Sequence, residues 1–312
     1  GGDISQRANI RTGGTLMQVA DGSITNQRVT QNPNSITRRQ GKPAAPQTSG
    51  LEIKNLVQVS GGDINNQMAI DLAGDISMTG RNIINVKDIA AGQNLSLNAS
   101  ENITNTRVNL SAGNNLGLAA GGDITNTATN LSAGQNLGMS AGGNITLDTI
   151  SRSTRIGGGN DLKTSLIHTG SMVTAGNNVT LDAGNDLTIE GSSVDAGGNI
   201  ALTADGDIAI TAAQDEYYSY RKTVKKRTFK KTTKVTETFR TKNLESELNA
   251  AGNISINSQV NADGSITTGN DSGKVLISGS SLNAGEQLVL YGGDVSVVDQ
   301  KEINYYKHTK KK

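Results

Sequence analysis

The chain contains no cysteine and no tryptophan, only three prolines, and its aromatic residues make up 3% of 312 positions. Without cysteine there is no disulfide framework, no thiolate metal site and no thiol nucleophile. So few rings cannot fill the centre of an ordinary globular core, where aromatic side chains supply much of the buried area. No apolar run reaches the ~18 residues of a membrane-spanning helix. The opening residues, Gly1-Gly2-Asp3-Ile4-Ser5, have neither the charged nor the apolar region of a secretory signal. Gly-Gly-Asp-Ile recurs at residues 61 and 121, so the opening falls inside a repeat. The sequence therefore reads as a piece of a longer repeat protein, and a missing signal leaves its export undecided.

What is abundant is glycine, 38 residues, together with evenly placed aliphatic residues. Residues 91–147 align on themselves: Leu95, Leu116 and Leu137 recur at i, i+21 and i+42, and so do Ile103, Ile124 and Ile145. Each unit holds two Gly-polar turns followed by alternating apolar strands, at successive intervals of 8 and 13. A fixed period of about 20 residues built from strands and glycine turns marks a solenoid. The fold class is thus all-β, a parallel β-solenoid with about 21 residues per coil. Residue i then lies above residue i+21, so Leu95, Leu116 and Leu137 form an interior ladder. Asn94, Asn115 and Asn136 form a second, whose amides can bond to one another. At a coil spacing of ~4.8 Å, roughly twelve coils span about 55 Å.

The pattern is interrupted in three places. Residues 26–50 contain all three prolines, Pro33, Pro43 and Pro46, and read as a loop thrown out of the coil. Residues 150–170 drift out of phase at Leu162 and also read as a loop, with coils continuing to residue 212. Residues 213–249 change character entirely. Five of the eight aromatics lie here, and between Arg221 and Lys242 there are ten Lys or Arg against one acid, Glu237. The local net is +9, against −8 for the remaining 19 basic and 27 acidic residues. Alternation rich in Thr, Val, Lys and aromatics predicts a protruding β-hairpin with its tip near Lys230-Lys231. Coils resume over 250–298, with Ile254 and Val275 taken as equivalent positions i and i+21. Residues 299–312 repeat the pattern of Asp215 to Tyr218 and read as the first arm of a second, truncated hairpin.

At this point the residues resemble a known family. The runs from Gly191 to Ala213 and from Ser278 to Leu290 look like the second type of filamentous haemagglutinin repeat, found in large exoproteins of Gram-negative two-partner secretion systems. These include adhesins and the effectors of contact-dependent growth inhibition. The resemblance implies a right-handed parallel β-helix and export through a partner outer-membrane transporter. The product would be secreted or held at the cell surface, or kept in the periplasm before delivery. In growth-inhibition effectors such a region lies between receptor-binding part and toxin and helps carry the toxin across a target cell's outer membrane. No Val-Glu-Asn-Asn pretoxin motif and no toxin-like C-terminus occur in this chain.

Catalysis finds little support, and we read the chain as non-enzymatic, without cofactor or metal. The two histidines, His168 and His308, are far apart, and no serine sits in a nucleophile elbow. A polysaccharide-degrading β-helix would need a carboxylate groove. Asp182, Asp186, Asp205 and Asp207 are the candidates, and they also read as solvated turn acids. The Gly-Gly-Asp turns lack the calcium nonapeptide pattern. Two readings fit the basic segment. In one its lysines only guard a strand edge against aggregation. In the other, Lys222, Lys225, Lys226, Arg227, Lys230, Lys231 and Lys234 attract an anionic surface, and Tyr217, Tyr218, Tyr220, Phe229 and Phe239 settle at its interface. That surface would be lipopolysaccharide or lipid headgroups of a target membrane, or heparin-like sugars if the chain is an adhesin stalk. Export argues against nucleic acid as the partner.

Overall fold

The computed structural model describes residues 2–7, 10–27, 51–258 and 273–311. Alternation of apolar and polar residues forces short strands with one face inward, and glycine or Asn/Asp corners turn them. One coil shows how. Leu95–Ala99, Ile103–Thr106 and Asn109–Ala112 are three strands in succession, and Leu116 begins the next turn directly above Leu95. Leu95, Leu97, Ala99, Ile103, Leu110 and Ala112 point inward and are buried, as are Asn105 and Val108, while the residues alternating with them along each strand face out. The coil therefore has three sides. The longer of the two spacings seen in the sequence conceals a third short strand, Asn109–Ala112, where only two elements were expected.

Stacking the coils gives three long parallel sheets of eleven, ten and eight strands among the described residues, and Ile10–Arg11 pairs with Leu51–Glu52 in a short fourth. Eleven strands span about 48 Å at ~4.8 Å each, slightly less than the sequence suggested. The predicted ladders are present. Leu95, Leu116 and Leu137 lie in register, as do Ile103, Ile124 and Ile145. Each fully buried Leu or Ile contributes about 1.5–3 kcal/mol. No coil can bury its own interior alone, so the stability belongs to neighbouring pairs. The corner asparagines also stack. Asn115 and Asn136 each donate from Nδ2 to the Oδ1 of the asparagine one coil earlier, at 3.2 Å. At the same corner Gly134 admits no side chain, because a Cβ there would meet the carbonyl oxygen of Gly113 in the coil below.

Several boundaries differ from the sequence reading. Residues 150–170 are not a loop. Ile150–Gly158 and Asp161–Thr169 form an antiparallel hairpin outside the solenoid, so 1–212 is not an unbroken run of coils. Leu137 stacks on Val179, two repeat periods further along the chain, because the inserted length equals one coil and leaves the period intact. The basic hairpin comprises Ala213–Arg227 and Lys230–Leu244, and Glu247–Ala250 is already a coil strand. Its tip is Thr228-Phe229, immediately before the Lys230-Lys231 pair near which it was expected. Ile254 and Val275 are not equivalent. Ile254 pairs with Ile200 and Leu288 in one sheet, and Val275 with Ile208 and Val295 in another. The step between those sheets is ordinarily as short as that from Leu95 to Ile103, and here it is lengthened. The expected loop at 26–50 lies, from residue 28 on, outside the described residues, as do 259–272 of the 250–298 segment.

Candidate functional site: an antiparallel sheet standing off the solenoid

The first hairpin, the basic hairpin and the strand Asn304–Lys311 join into one five-stranded antiparallel sheet. Residues 299–312 therefore do not begin a separate hairpin. Asn304–Lys311 extends the existing sheet along Lys230–Leu244. The reason is geometric. Ile145–Asp148, Leu187–Glu190, Ile208–Thr211, Lys274–Ser278 and Asp294–Val298 are consecutive neighbours in one solenoid sheet. The chain leaves the solenoid after the first, third and fifth of these. Two coils rise about 9.6 Å, which is also the width of a two-stranded hairpin, so hairpins rooted on alternate coils meet edge to edge. The intervening coils turn the same corner at Gly191 (φ 51°) and Gly279 (φ 56°). A Cβ at Gly191 would meet Thr149 Cγ2 at 2.8 Å and Ala213 Cβ at 3.0 Å, the roots of the flanking hairpins.

Cross-strand partners share a face, so register assigns every side chain. Leu162, Leu166, Tyr218, Tyr220, Phe239 and Tyr305 lie on one face, where Phe239 sits between Tyr218 and Tyr305. Tyr218 donates to Glu237 Oε1 at 2.9 Å. That bond raises the phenol above its ordinary pKa. The other face carries Thr154, Ile156, Lys163, Ser165, Tyr217, Ser219, Thr238, Arg240, Asn304 and Tyr306. Here the Arg240 guanidinium lies 4.6 Å from the Tyr217 ring centroid, and the side chains enclose an open cavity of about 700 Å³.

The sequence-predicted residues are brought together only in part. Tyr217, Tyr218, Tyr220 and Phe239 are half-buried at the base of the hairpin, against its neighbours. The cations Lys222, Lys225, Lys226, Arg227, Lys230, Lys231 and Lys234 are all exposed and lie toward the tip. Register divides them: Lys222, Lys226 and Lys231 project to one face, and Lys225, Arg227, Lys230 and Lys234 to the other. Tyr217 and Arg227 are separated by about 33 Å of strand. One flat surface pressed on the tip therefore meets the cations and Phe229, not the tyrosines. At the tip Lys226 opposes Lys231 and Arg227 opposes Lys230, like charges directly paired, which costs free energy in the absence of an anion. Phe229 is fully exposed and held at φ 67°, a left-handed conformation that disfavours every residue but glycine and the short amides.

The whole sheet concentrates charge further than the hairpin alone. Its five strands carry sixteen Lys or Arg against four acids, a net of +12, and the rest of the sequence thirteen against twenty-four, a net of −11. Sequence reading missed Arg152, Arg155 and Lys163 of the first hairpin and Lys307, Lys310 and Lys311 of the last strand as members of this sheet. The run Gly157-Gly158-Gly159-Asn160-Asp161 between two alternating segments is the turn signal that marks the first hairpin.

Among the described residues the catalytic candidates are not brought together. His168 lies in a strand of the sheet, where its Nδ1 is 3.2 Å from Asp215 Oδ1. His308 Nδ1 is 3.2 Å from Thr236 Oγ1. Asp186 and Asp207 accept backbone N–H groups of the following coil and so serve the corners, while Asp182, inside the strand Val179–Ala183, accepts the hydroxyl of its cross-strand partner Thr203. Among the described residues no cluster of three His, Asp or Glu is placed to hold a metal ion.

Residues 77–226, 150 of the 312, match the family model of the hemagglutinin repeat. The matched stretch covers the most regular coils, the first hairpin and the outgoing arm of the basic hairpin as far as Lys226. No curated protein and no solved structure matches the chain.

Proposed function

We propose that the chain is a structural repeat segment of a two-partner-secreted exoprotein of a Gram-negative bacterium. It is exported through a partner outer-membrane transporter and is secreted or held at the cell surface, with a periplasmic stage before delivery. The hemagglutinin-repeat match and the solenoid support the scaffold role. The sheet standing off the solenoid engages the outer membrane of a target cell and assists toxin delivery in contact-dependent growth inhibition. The observation that carries this reading is the tip, where a fully exposed phenyl in a strained backbone sits between Arg227 and Lys230, with five further cations behind it. A cation near an anionic bilayer gains about 1 kcal/mol, and burying a Phe ring adds about 1.5–3 kcal/mol.

The test is co-sedimentation with phosphatidylglycerol-containing vesicles and with pure phosphatidylcholine vesicles, at low and high salt. Binding is expected on the anionic vesicles only, and it is screened by salt. Phe229→Ser should weaken it about tenfold, the equivalent of ~1.4 kcal/mol. The combined Lys225→Glu, Lys226→Glu, Lys230→Glu and Lys231→Glu variant should abolish it. Equal binding to both vesicle types, or none to either, sinks the membrane reading. In a competition assay with the parent effector, removal of 213–244 should abolish killing while secretion persists. Undiminished killing rules out a part in delivery.

A further inference from the structure

The cavity at the base of the sheet belongs to neither the tip nor the solenoid. Its floor is flat backbone carrying small hydroxyl side chains, Ser165, Ser219 and Thr238. On the first-hairpin side stand Ile156, 64% exposed, and Lys163, and on the far side Tyr306, 68% exposed. Tyr217 and Arg240 close one end beside Asn304. Lys163, Ser219, Thr238 and Tyr306 form one cross-strand row, and Tyr217 with Arg240 the next row on the same face. The two cations are separated by roughly 12 Å of sheet surface. No carboxylate in the described residues forms an ion pair with either. The nearest acids in register are engaged or displaced. Asp215 bonds the backbone N–H and ring of His168, and Asp161 lies in the row of Arg221.

We infer that this groove binds an acidic saccharide of about two sugar rings, its carboxylates held by Arg240 and Lys163 and a pyranose face laid against Tyr306. The chemistry favours a sugar over a peptide. The exposed apolar groups Ile156 and Tyr306 stand on opposite sides of the open groove and do not converge on one anchoring pocket. It offers instead a shallow floor of hydroxyl groups that match a sugar's edge, and an exposed ring for its C–H face. The cavity of about 700 Å³ lies within the range of small-ligand sites. Arg240 is held in place by stacking on Tyr217, so less side-chain freedom is lost on binding. This site stands apart from the tip, and its success or failure does not depend on membrane contact.

The test is calorimetric titration of the full chain with digalacturonate, with the neutral disaccharide galactobiose, and with a sulfated heparin disaccharide. Digalacturonate should bind and galactobiose should not. The Arg240→Gln and Lys163→Gln pair should weaken digalacturonate at least tenfold, and Tyr306→Ala should do so comparably, with the circular dichroism of each variant unchanged. The tip variant with Glu at 225, 226, 230 and 231 should retain digalacturonate binding after losing vesicles. Preference for the sulfated over the plain uronate assigns a sulfated glycan as the source, and the reverse assigns an unsulfated surface polysaccharide. No binding of either acid sugar overturns the assignment. So does equal binding of galactobiose, or loss of digalacturonate in the tip variant, which would mean diffuse charge rather than a built groove.

Discussion

Gly191→Val should detach the antiparallel sheet from the solenoid and be among the most destabilising single substitutions in the chain. Gly191 turns the corner between two coils that each send out a hairpin, at φ 51°. Valine suffers twice there. A branched residue in the left-handed region costs about 1–2 kcal/mol. Its Cβ would also meet Thr149 Cγ2 at 2.8 Å, Ala213 Cβ at 3.0 Å and Leu244 Cδ2 at 3.2 Å, crowding that costs about another 1–3 kcal/mol. The same corner elsewhere gives an internal control. Arg107 and Ala128 occupy it at φ 52° and 50° in coils with no hairpin, so the conformation alone is tolerated. Ala128→Gly should accordingly be neutral or slightly stabilising, because it relieves a disfavoured φ without removing a packed side chain. Urea midpoints should fall clearly for Gly191→Val and not for Ala128→Gly. Native-state hydrogen exchange should lose protection first in 150–169 and 213–244. Wild-type protection of those amides in Gly191→Val would show that the alternate-coil roots do not hold the sheet.

The solenoid was legible because its physics is local and repeated. Each interior position recurs at a fixed interval, so the ladders of Leu95 and Ile103 and the asparagine corner declare themselves in one dimension. The sheet was legible only where composition broke sharply, at the basic hairpin. The first hairpin escaped notice because its inserted length matches the coil period, so Val179 arrives in phase with Leu137 and the excursion reads as noise. The equating of Ile254 with Val275 failed for the converse reason, since a lengthened step between two sheets imitates a full turn. The groove was not legible at all. Lys163, Tyr217, Arg240 and Tyr306 come from three separate departures of the chain. What brings them together is the equality between the rise of two coils and the width of a hairpin, a relation no spacing in the sequence displays.

A different column of the interior gives a prediction of opposite character, in which one change should do more harm than three. Asn26, Asn66, Asn85, Asn105 and Asn126 stack in register as fully buried amides. The column then continues as Leu147, Ile189, Ile210 and Ile277. Asn85 donates to Asn105 Oδ1 at 2.7 Å, and Asn105 donates to Asn126 Oδ1 at 2.8 Å. Asn105→Leu removes both bonds and strands a donor on one coil and an acceptor on the next. Each buried orphan costs about 1–3 kcal/mol, so a loss of about 2–4 kcal/mol is expected after the gain from burying leucine. Replacing Asn85, Asn105 and Asn126 together by leucine strands neither. Asn85 Oδ1 already lacks a protein donor, and Asn126 Nδ2 reaches only the sulfur of Met139 at 3.5 Å. The slot also accepts branched aliphatics, as Leu147 and Ile189 show in the coils that follow. The triple variant should therefore unfold at a urea midpoint near or above the wild type, while the three single-site losses sum to several kcal/mol. Additive losses would mean that the amides stabilise the coils individually. Non-additivity would show them to be a connected ladder, one that fixes the pairing of each coil with the next, because a slip of one residue turns every buried amide toward solvent.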